Sequence, residues 1–190
     1  MTDNTPYITD YCHSAAARFT SLAAGASDIE AAANVVSSAL MAGNKVLLCG
    51  NGGSAADAQH IAAELIGRFE KERRALAAMA LTTDTSILTA VANDYDFDRI
   101  FARQIDALGT AGDVLIAIST SGNSANVLAA AKAAANRDMA TLALTGEGGG
   151  ALVGACDHAV RVPSDKTSHI QEMHIAVGHM ICAMVESALA

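Results

Sequence analysis

The sequence predicts an α/β domain: a parallel sheet with helices on both faces. Two observations carry that prediction. Short apolar runs alternate with helical segments along the chain, and such alternation implies the crossover connections of parallel strands. Two of the runs also end in Gly- or Ser-rich turns that open directly into a helix, at the carboxyl end of a strand where open α/β sheets bind ligands. The composition agrees. Of 190 residues, 52% are hydrophobic and 17% charged, the reverse of a disordered chain. The length suits one domain and is short for two.

The elements follow in order. Tyr7 to about Ala24 reads as an amphipathic helix, punctuated by Gly25. Ser27 and Glu30 have the spacing of a capping box for a second helix to about Ala42, stopped by Gly43-Asn44. KVLLCG (45–50) is an apolar run between turn residues and predicts a buried strand. A helix from Ser54 to about Phe69 follows the NGGS turn (51–54). Ala75 to Leu81 is the next strand; Asp84 caps a helix to about Ala92, and Asp96 starts another to about Leu108. DVLIAIS (113–119) is the clearest strand, and Ser124 caps a helix to about Asn136. MATLALT (139–145) is a strand, GEGGG (146–150) a loop, HAVRVP (158–163) a short strand ended by Pro163, and Thr167 to Leu189 one long helix. The expectation is a single domain over 1–190. Residues 1–43 form an N-terminal helical pair, and 44–190 form the sheet with the C-terminal helix.

Charge and hydropathy exclude several classes. Twelve Lys and Arg against 20 Asp and Glu leave a net charge of −8, which argues against a nucleic-acid partner. Two prolines without a Gly-X-Y period exclude a collagen-like chain. The mean hydropathy of +0.29 is high for a soluble monomer. No apolar run reaches the roughly 18 residues of a membrane span, so the surplus apolar surface predicts a subunit interface. The opening MTDNTPYITDYCHS has no basic region followed by an apolar core, so no targeting signal is expected. Cys12, Cys49, Cys156 and Cys182 are scattered without a CxxC pair, and a reducing, cytoplasmic location is expected.

Both strand-to-helix turns suit an anion. One is Gly50-Asn51-Gly52-Gly53-Ser54; the other is Ser119-Thr120-Ser121-Gly122-Asn123-Ser124. Glycines let backbone N–H groups approach closely, and helix N-termini add unsatisfied donors and positive partial charge. Ser119, Thr120, Ser121 and Ser124 add four hydroxyls without a Lys or Arg, a combination suited to a phosphate monoester. The first loop alone is ordinary turn chemistry, matching neither G-x-G-x-x-G nor a Walker loop. No acidic ribose partner follows it at about 20 residues, which disfavours a dinucleotide.

A second group offers proton-transfer or metal chemistry. His60 and Glu64 stand four residues apart on one helix face. Such a pair is commonly a surface ion pair, but the Ala-rich surroundings weaken that reading. The final helix holds Gln171, Glu172, His174 and His179. At about 100° per residue, Gln171 lies about 80° from His179 and about 60° from His174 on the other side. Gln171 can share a site with either imidazole, and spacing does not choose between them.

The segments CGNGGSAADAQHIAAELIGRFEKER, TAVANDYDFDRIF, GDVLIAISTSGNSANVL and IQEMHIAVGH together resemble the phosphoheptose isomerases of the sugar isomerase (SIS) fold, over essentially the whole chain. The resemblance implies a five-stranded parallel sheet of flavodoxin-like order and a homotetramer with active sites between subunits. The N-terminal helical pair would pack at the oligomer core. It implies that Asn51, Gly52, Gly53 and Ser54 hold the substrate, that Ser119, Thr120, Ser121 and Ser124 bind its phosphate, and that Asn93, Asp94 and Gln171 contact the sugar. Glu64 would be the catalytic base and His179 its partner, with His174 left to a structural role. One zinc ion per subunit would be held by His60, Glu64, Gln171 and His179. The implied reaction converts sedoheptulose 7-phosphate to a D-manno-heptose 7-phosphate through a cis-enediolate, the first step towards a nucleotide-activated heptose for lipopolysaccharide.

The chain departs from the family pattern at His169, where relatives commonly carry Arg, exchanging a permanently charged guanidinium for a titratable ring. Two rival readings share these loops. A non-enzymatic SIS relative that binds the replication initiator lacks both the Glu of H-x-x-x-E and the final His, whereas this chain has Glu64 and His179. An SIS isomerase of another sugar phosphate would look much the same.

Overall fold

The computed structural model describes residues 3–189; the ends of the expected domain at residues 1, 2 and 190 lie outside the described residues. Each of the five apolar runs forms a strand. These are β1 (Val46–Gly50), β2 (Ala78–Ala80), β3 (Val114–Ser119), β4 (Ala140–Thr145) and β5 (His158–Arg161). They lie in the order β2-β1-β3-β4-β5, every pair parallel. The helices are α1 (Thr5–Leu22), α2 (Ala26–Met41), α3 (Gly53–Ile66), α4 (Thr85–Asp94), α5 (Ala102–Leu108), α6 (Ala125–Ala135), α7 (Gly150–Ala155) and α8 (Thr167–Leu189).

Strand alternation sorts the core into two layers. Val46, Leu48, Val114, Ile116, Ile118, Leu142 and Leu144 face α2, α3 and α8. Leu47, Cys49, Leu115, Ala117 and Ala143 face α5 and α6 on the other side. The central strands β1 and β3 are buried throughout, as strands covered on both faces must be. Alanine lets these helices lie close to the sheet: Ala130, Ala131 and Ala134 of α6 are fully buried.

Several local expectations are corrected. The Ser27–Glu30 capping box does not form, because a 3₁₀ turn at Ala23–Gly25 carries α1 into α2 with Ala26 already helical. A capping residue needs non-helical dihedrals, and Ser27 lies inside α2. Asp84 does cap α4, its carboxylate accepting from Ile87 N at 2.9 Å. Asp96 caps only a 3₁₀ turn (Phe97–Arg99), and α5 starts at Ala102. Ser124 holds the cap position of α6, but its side chain makes no cap bond. Instead its hydroxyl meets that of Ser119 at 3.0 Å. α3 stops at Ile66 rather than Phe69, because Gly67 leaves the helix. β2, an edge strand, keeps three residues of the seven expected at 75–81. The sequence beyond GEGGG contains a helix that was not expected, α7.

α1 stands apart from this packing. Leu22 is its one buried residue, while Tyr7 is 66% and Phe19 41% exposed. It touches the body through α8 and the segment that leads into it. The Arg18 guanidinium donates to Pro163 O at 3.1 Å, and the Tyr11 hydroxyl bonds the Glu172 carboxylate. His169 is buried and joins the same contact, its Nδ1 2.9 Å from Glu172 Oε2. Among the described residues, no helix is long and apolar enough to cross a membrane.

Candidate active site

β1 leads to β2 on one side and β3 opens the other half of the sheet, so the strand order reverses between β1 and β3. Ligands of open α/β sheets bind at that crevice. Gly50 pairs with Ile118 across β1 and β3, which brings the two predicted anion loops out side by side. A reciprocal amide pair joins them. Asn51 Nδ2 donates to Asn126 Oδ1, and Asn126 Nδ2 donates to Asn51 Oδ1, both at 2.8 Å. Asn126, 3% exposed in the first turn of α6, is a site residue that sequence reasoning missed. Only the spatial adjacency of β1 and β3 reveals it.

The serine loop is braced within itself and from behind. Gly122 N donates to Ser119 Oγ at 3.2 Å, and Asn123 N to Ser121 Oγ at 3.1 Å. The unforeseen α7 supplies the rest. Leu152 N donates to Gly122 O, and Ala151 N to Asn123 Oδ1, at 2.9 and 3.0 Å. The loop is therefore held in shape by its own hydroxyls and by backbone donors, without cationic side chains.

The second group assembles along a seam between α3 and α8. The two helices run the same way, in matched steps of about seven residues. Gln171 meets Gly53, where a Cβ would stand 2.5 Å from Gln171 Nε2. One step on, Gly178 meets Ile61, where a Cβ would stand 2.6 Å from Ile61 Cδ1. Gly178 thus permits a helix–helix approach that no larger residue allows. At this level His179 Nε2 lies 3.0 Å from His60 Nε2, and His60 Nε2 lies 3.2 Å from Glu64 Oε1. The three donor atoms all fall within 4.8 Å of one another. Phe69 stacks on the His179 ring, centroids 5.4 Å apart and planes at 25°.

The two imidazoles of α8 have different surroundings. His174 is fully buried, and burial pulls its pKa down to about 4, so its ring stays neutral near pH 7. His179 is half-buried beside Glu64 and His60. Asn93 and Asp94 fall elsewhere, in the last turn of α4. Both are exposed, and Asn93 Nδ2 donates to Asp94 Oδ1 at 2.8 Å. The chain by itself does not bring them to the seam. Asp57, not foreseen as a site residue, lies on α3 one turn before His60. Its Oδ2 is buried without a hydrogen-bond partner, and burial lifts its pKa to about 6 against the opposing influence of His60.

Chemically the crevice offers a neutral, hydroxyl-rich anion cradle, and α3 leads from its first loop to a carboxylate and two imidazoles, with His60 between Glu64 and His179. Comparison with known proteins fits that description. Residues 10–146 match the SIS domain family. The chain is 58% identical over 182 residues to a phosphoheptose isomerase of Rhodospirillum rubrum, covering 96% of this chain and 97% of that one. Among solved structures, a phosphoheptose isomerase of Francisella tularensis superposes with a TM-score of 0.94 at 42% identity, covering 98% of this chain and all of that one. Its counterpart from Neisseria gonorrhoeae gives 0.92 at 45% identity, covering 96% and 98%.

Proposed function

Since the chain belongs to the SIS-domain phosphoheptose isomerase family, and is thus a sugar-phosphate isomerase, we propose that it converts sedoheptulose 7-phosphate to D-glycero-D-manno-heptose 7-phosphate. The reading extends to the first step of nucleotide-activated heptose supply for lipopolysaccharide, in the cytoplasm. The observation that carries the chemistry is the convergence of His179 of α8 on His60 and Glu64 of α3, the helix that springs from the first anion loop.

Aldose–ketose interconversion moves a proton between C1 and C2 of the open-chain sugar. It needs a base at carbon and a proton carrier at oxygen. In this proposal the four hydroxyls of 119–124 and the backbone donors beside them fix the phosphate. Asn51, Gly52, Gly53, Ser54 and Gln171 orient the chain of the sugar. Glu64 takes the carbon proton, and His179 moves the oxygen proton between O1 and O2. Asn93 and Asp94 meet the sugar hydroxyls from a neighbouring subunit of a homotetramer. Exposed α1 and an apolar groove of about 460 Å³ between Phe19, Leu22, Ile29, Met180 and Met184 support that assembly.

The donor set also fits zinc. Two imidazole nitrogens and a carboxylate oxygen are donors that zinc accepts, and its ligand atoms stand roughly 3.3 Å apart on a tetrahedron with bonds near 2.0–2.1 Å. The separations of 3.0 and 3.2 Å are close to that. His60, Glu64, Gln171 and His179 would hold one ion per subunit, and the ion would supply positive charge for the developing oxyanion.

The test is turnover, with zinc supplied, across five- to seven-carbon sugar phosphates, together with metal analysis of unchelated protein. The seven-carbon substrate is expected to be preferred, with one zinc per subunit, and Glu64→Gln is expected to abolish turnover in an intact oligomer. Activity of Glu64→Gln within about tenfold of the parent removes Glu64 as the base. A metal-free enzyme at full activity reduces the donor set to proton transfer alone.

A further inference from the structure

Beyond Glu64 the chain leaves α3 and crosses the end of α8, where its Arg73 forms a buried ion pair with Glu186. Glu186 and Arg73 have side chains only 2% and 3% exposed, with Arg73 Nε 3.3 Å from Glu186 Oε1. Every polar contact of this pair falls on one segment, 64–74. Glu186 Oε1 accepts from Phe69 N at 3.0 Å, and Oε2 accepts from Glu70 N and Lys71 N at 2.8 and 2.7 Å. Arg73 donates to Gly67 O at 3.1 Å, to Arg74 O at 3.0 Å, and to Glu64 O at 2.7 Å. The last of these matters most. α3 ends two residues after Glu64, so that carbonyl has no partner within the helix. Arg73 supplies one and holds the final turn.

The other end of the contact reaches His179. Glu186 follows His179 by seven residues, two turns along the same face of α8. It captures the backbone N–H of Phe69, whose ring stacks on His179. We propose that Glu186 and Arg73 are positioning residues that set Glu64 against His179, and that Phe69 is the piece of the clamp that touches the imidazole. This rests on the reading of Glu64 and His179 as the reacting pair. A purely stabilising role is a poor account of the arrangement, because a buried ion pair contributes little stability relative to apolar residues of the same size. Burial pushes the Glu186 carboxyl up, and the three backbone donors and Arg73 outweigh it, leaving a group ionised through the neutral range.

The experiment compares the parent with Glu186→Gln and Phe69→Leu in protein carrying ¹³C-labelled histidine. The stacked Phe69 ring displaces the His179 ring resonances, and Phe69→Leu and His179→Gln assign that displacement. In Glu186→Gln the resonances are expected to move towards their Phe69→Leu positions. The same variant should lose about tenfold or more in kcat, with KM for the sugar phosphate within about threefold, because the anion loops are untouched. Unmoved His179 resonances in a folded Glu186→Gln overturn the clamp, as does parental kcat or a loss confined to KM. If Glu186→Gln does not fold, Arg73→Lys takes its place, retaining charge but losing the fork that reaches both Glu64 O and Gly67 O. A parent inactive on every sugar phosphate sinks the isomerase reading; the resonances still decide the clamp.

Discussion

Asp57 is the residue whose environment costs the fold most visibly. One carboxylate oxygen is buried without a partner, and the pKa rises to about 6. A raised pKa means that the folded state binds this proton more tightly than the unfolded chain. Its contribution is favourable below pH 4 and is lost as pH climbs from about 4 to about 6. Asp57→Asn is therefore expected to gain stability over the parent across that window and hold the gain above it. The gain should be on the order of 1 kcal/mol after allowance for screening at a half-buried site. Thermal unfolding at pH 4, 6 and 8 checks it, and a pH-independent difference between the two proteins rejects the assignment. Asp57 was not legible in the sequence, because its burial depends on what packs over α3. The anion loops were legible, because turn glycines and hydroxyls act on their own backbone neighbours. Ser124 marks the boundary between the two cases. Its position at the start of α6 was visible, but its hydroxyl meets that of Ser119 rather than capping the helix.

At the scale of elements, the strands were legible to within a residue or two except at β2. Apolar runs between turn residues have few alternatives to a buried strand. The seam between α3 and α8 was not, although it decides which histidine stands beside His60 and Glu64. Spacing left His174 and His179 equivalent with respect to Gln171, and only the packing of α8 turns one inward and the other towards His60. Gly178 is the point on which that seam closes. Gly178→Val is expected to drive Ile61 away, lowering stability by roughly 2 kcal/mol and reducing turnover by widening the gap between His60 and His179. Ile61→Ala in the same chain should restore part of both, measured by thermal unfolding and by kcat. A Gly178→Val protein with parental unfolding and turnover shows that the seam is slack. The loop after α3 was equally hidden, since the carboxylate that holds its backbone N–H groups comes from Glu186, more than a hundred positions downstream.

For the whole molecule, the net charge of −8 repels the ligand that the crevice is shaped to hold. Backbone dipoles, helix N-termini and hydroxyls act over a few ångströms, where the global field counts for little. The hydrophobic surplus seen in the composition emerges on α1 and in the groove that α1 and α2 form with α8. Light scattering on the eluting protein is expected to give about four times the 19.3 kDa of one chain. Phe19→Asp should shift the protein to smaller species and lower its turnover, as expected if Asn93 and Asp94 complete a neighbour's site as proposed. A monomer that turns over sugar phosphate at full rate retires the tetramer. The matched steps of α3 and α8 carry one more consequence, for how such a chain can change over generations. Two levels of contact along the seam, Gln171 on Gly53 and Gly178 on Ile61, stand about seven residues apart, so side chains can be exchanged one at a time, but length cannot. An insertion of one residue between Gly53 and Glu64 would turn everything after it by about 100° and point the histidine or the carboxylate away from its partners. The interval from the first anion loop to Glu64 is therefore one whose length the seam itself fixes.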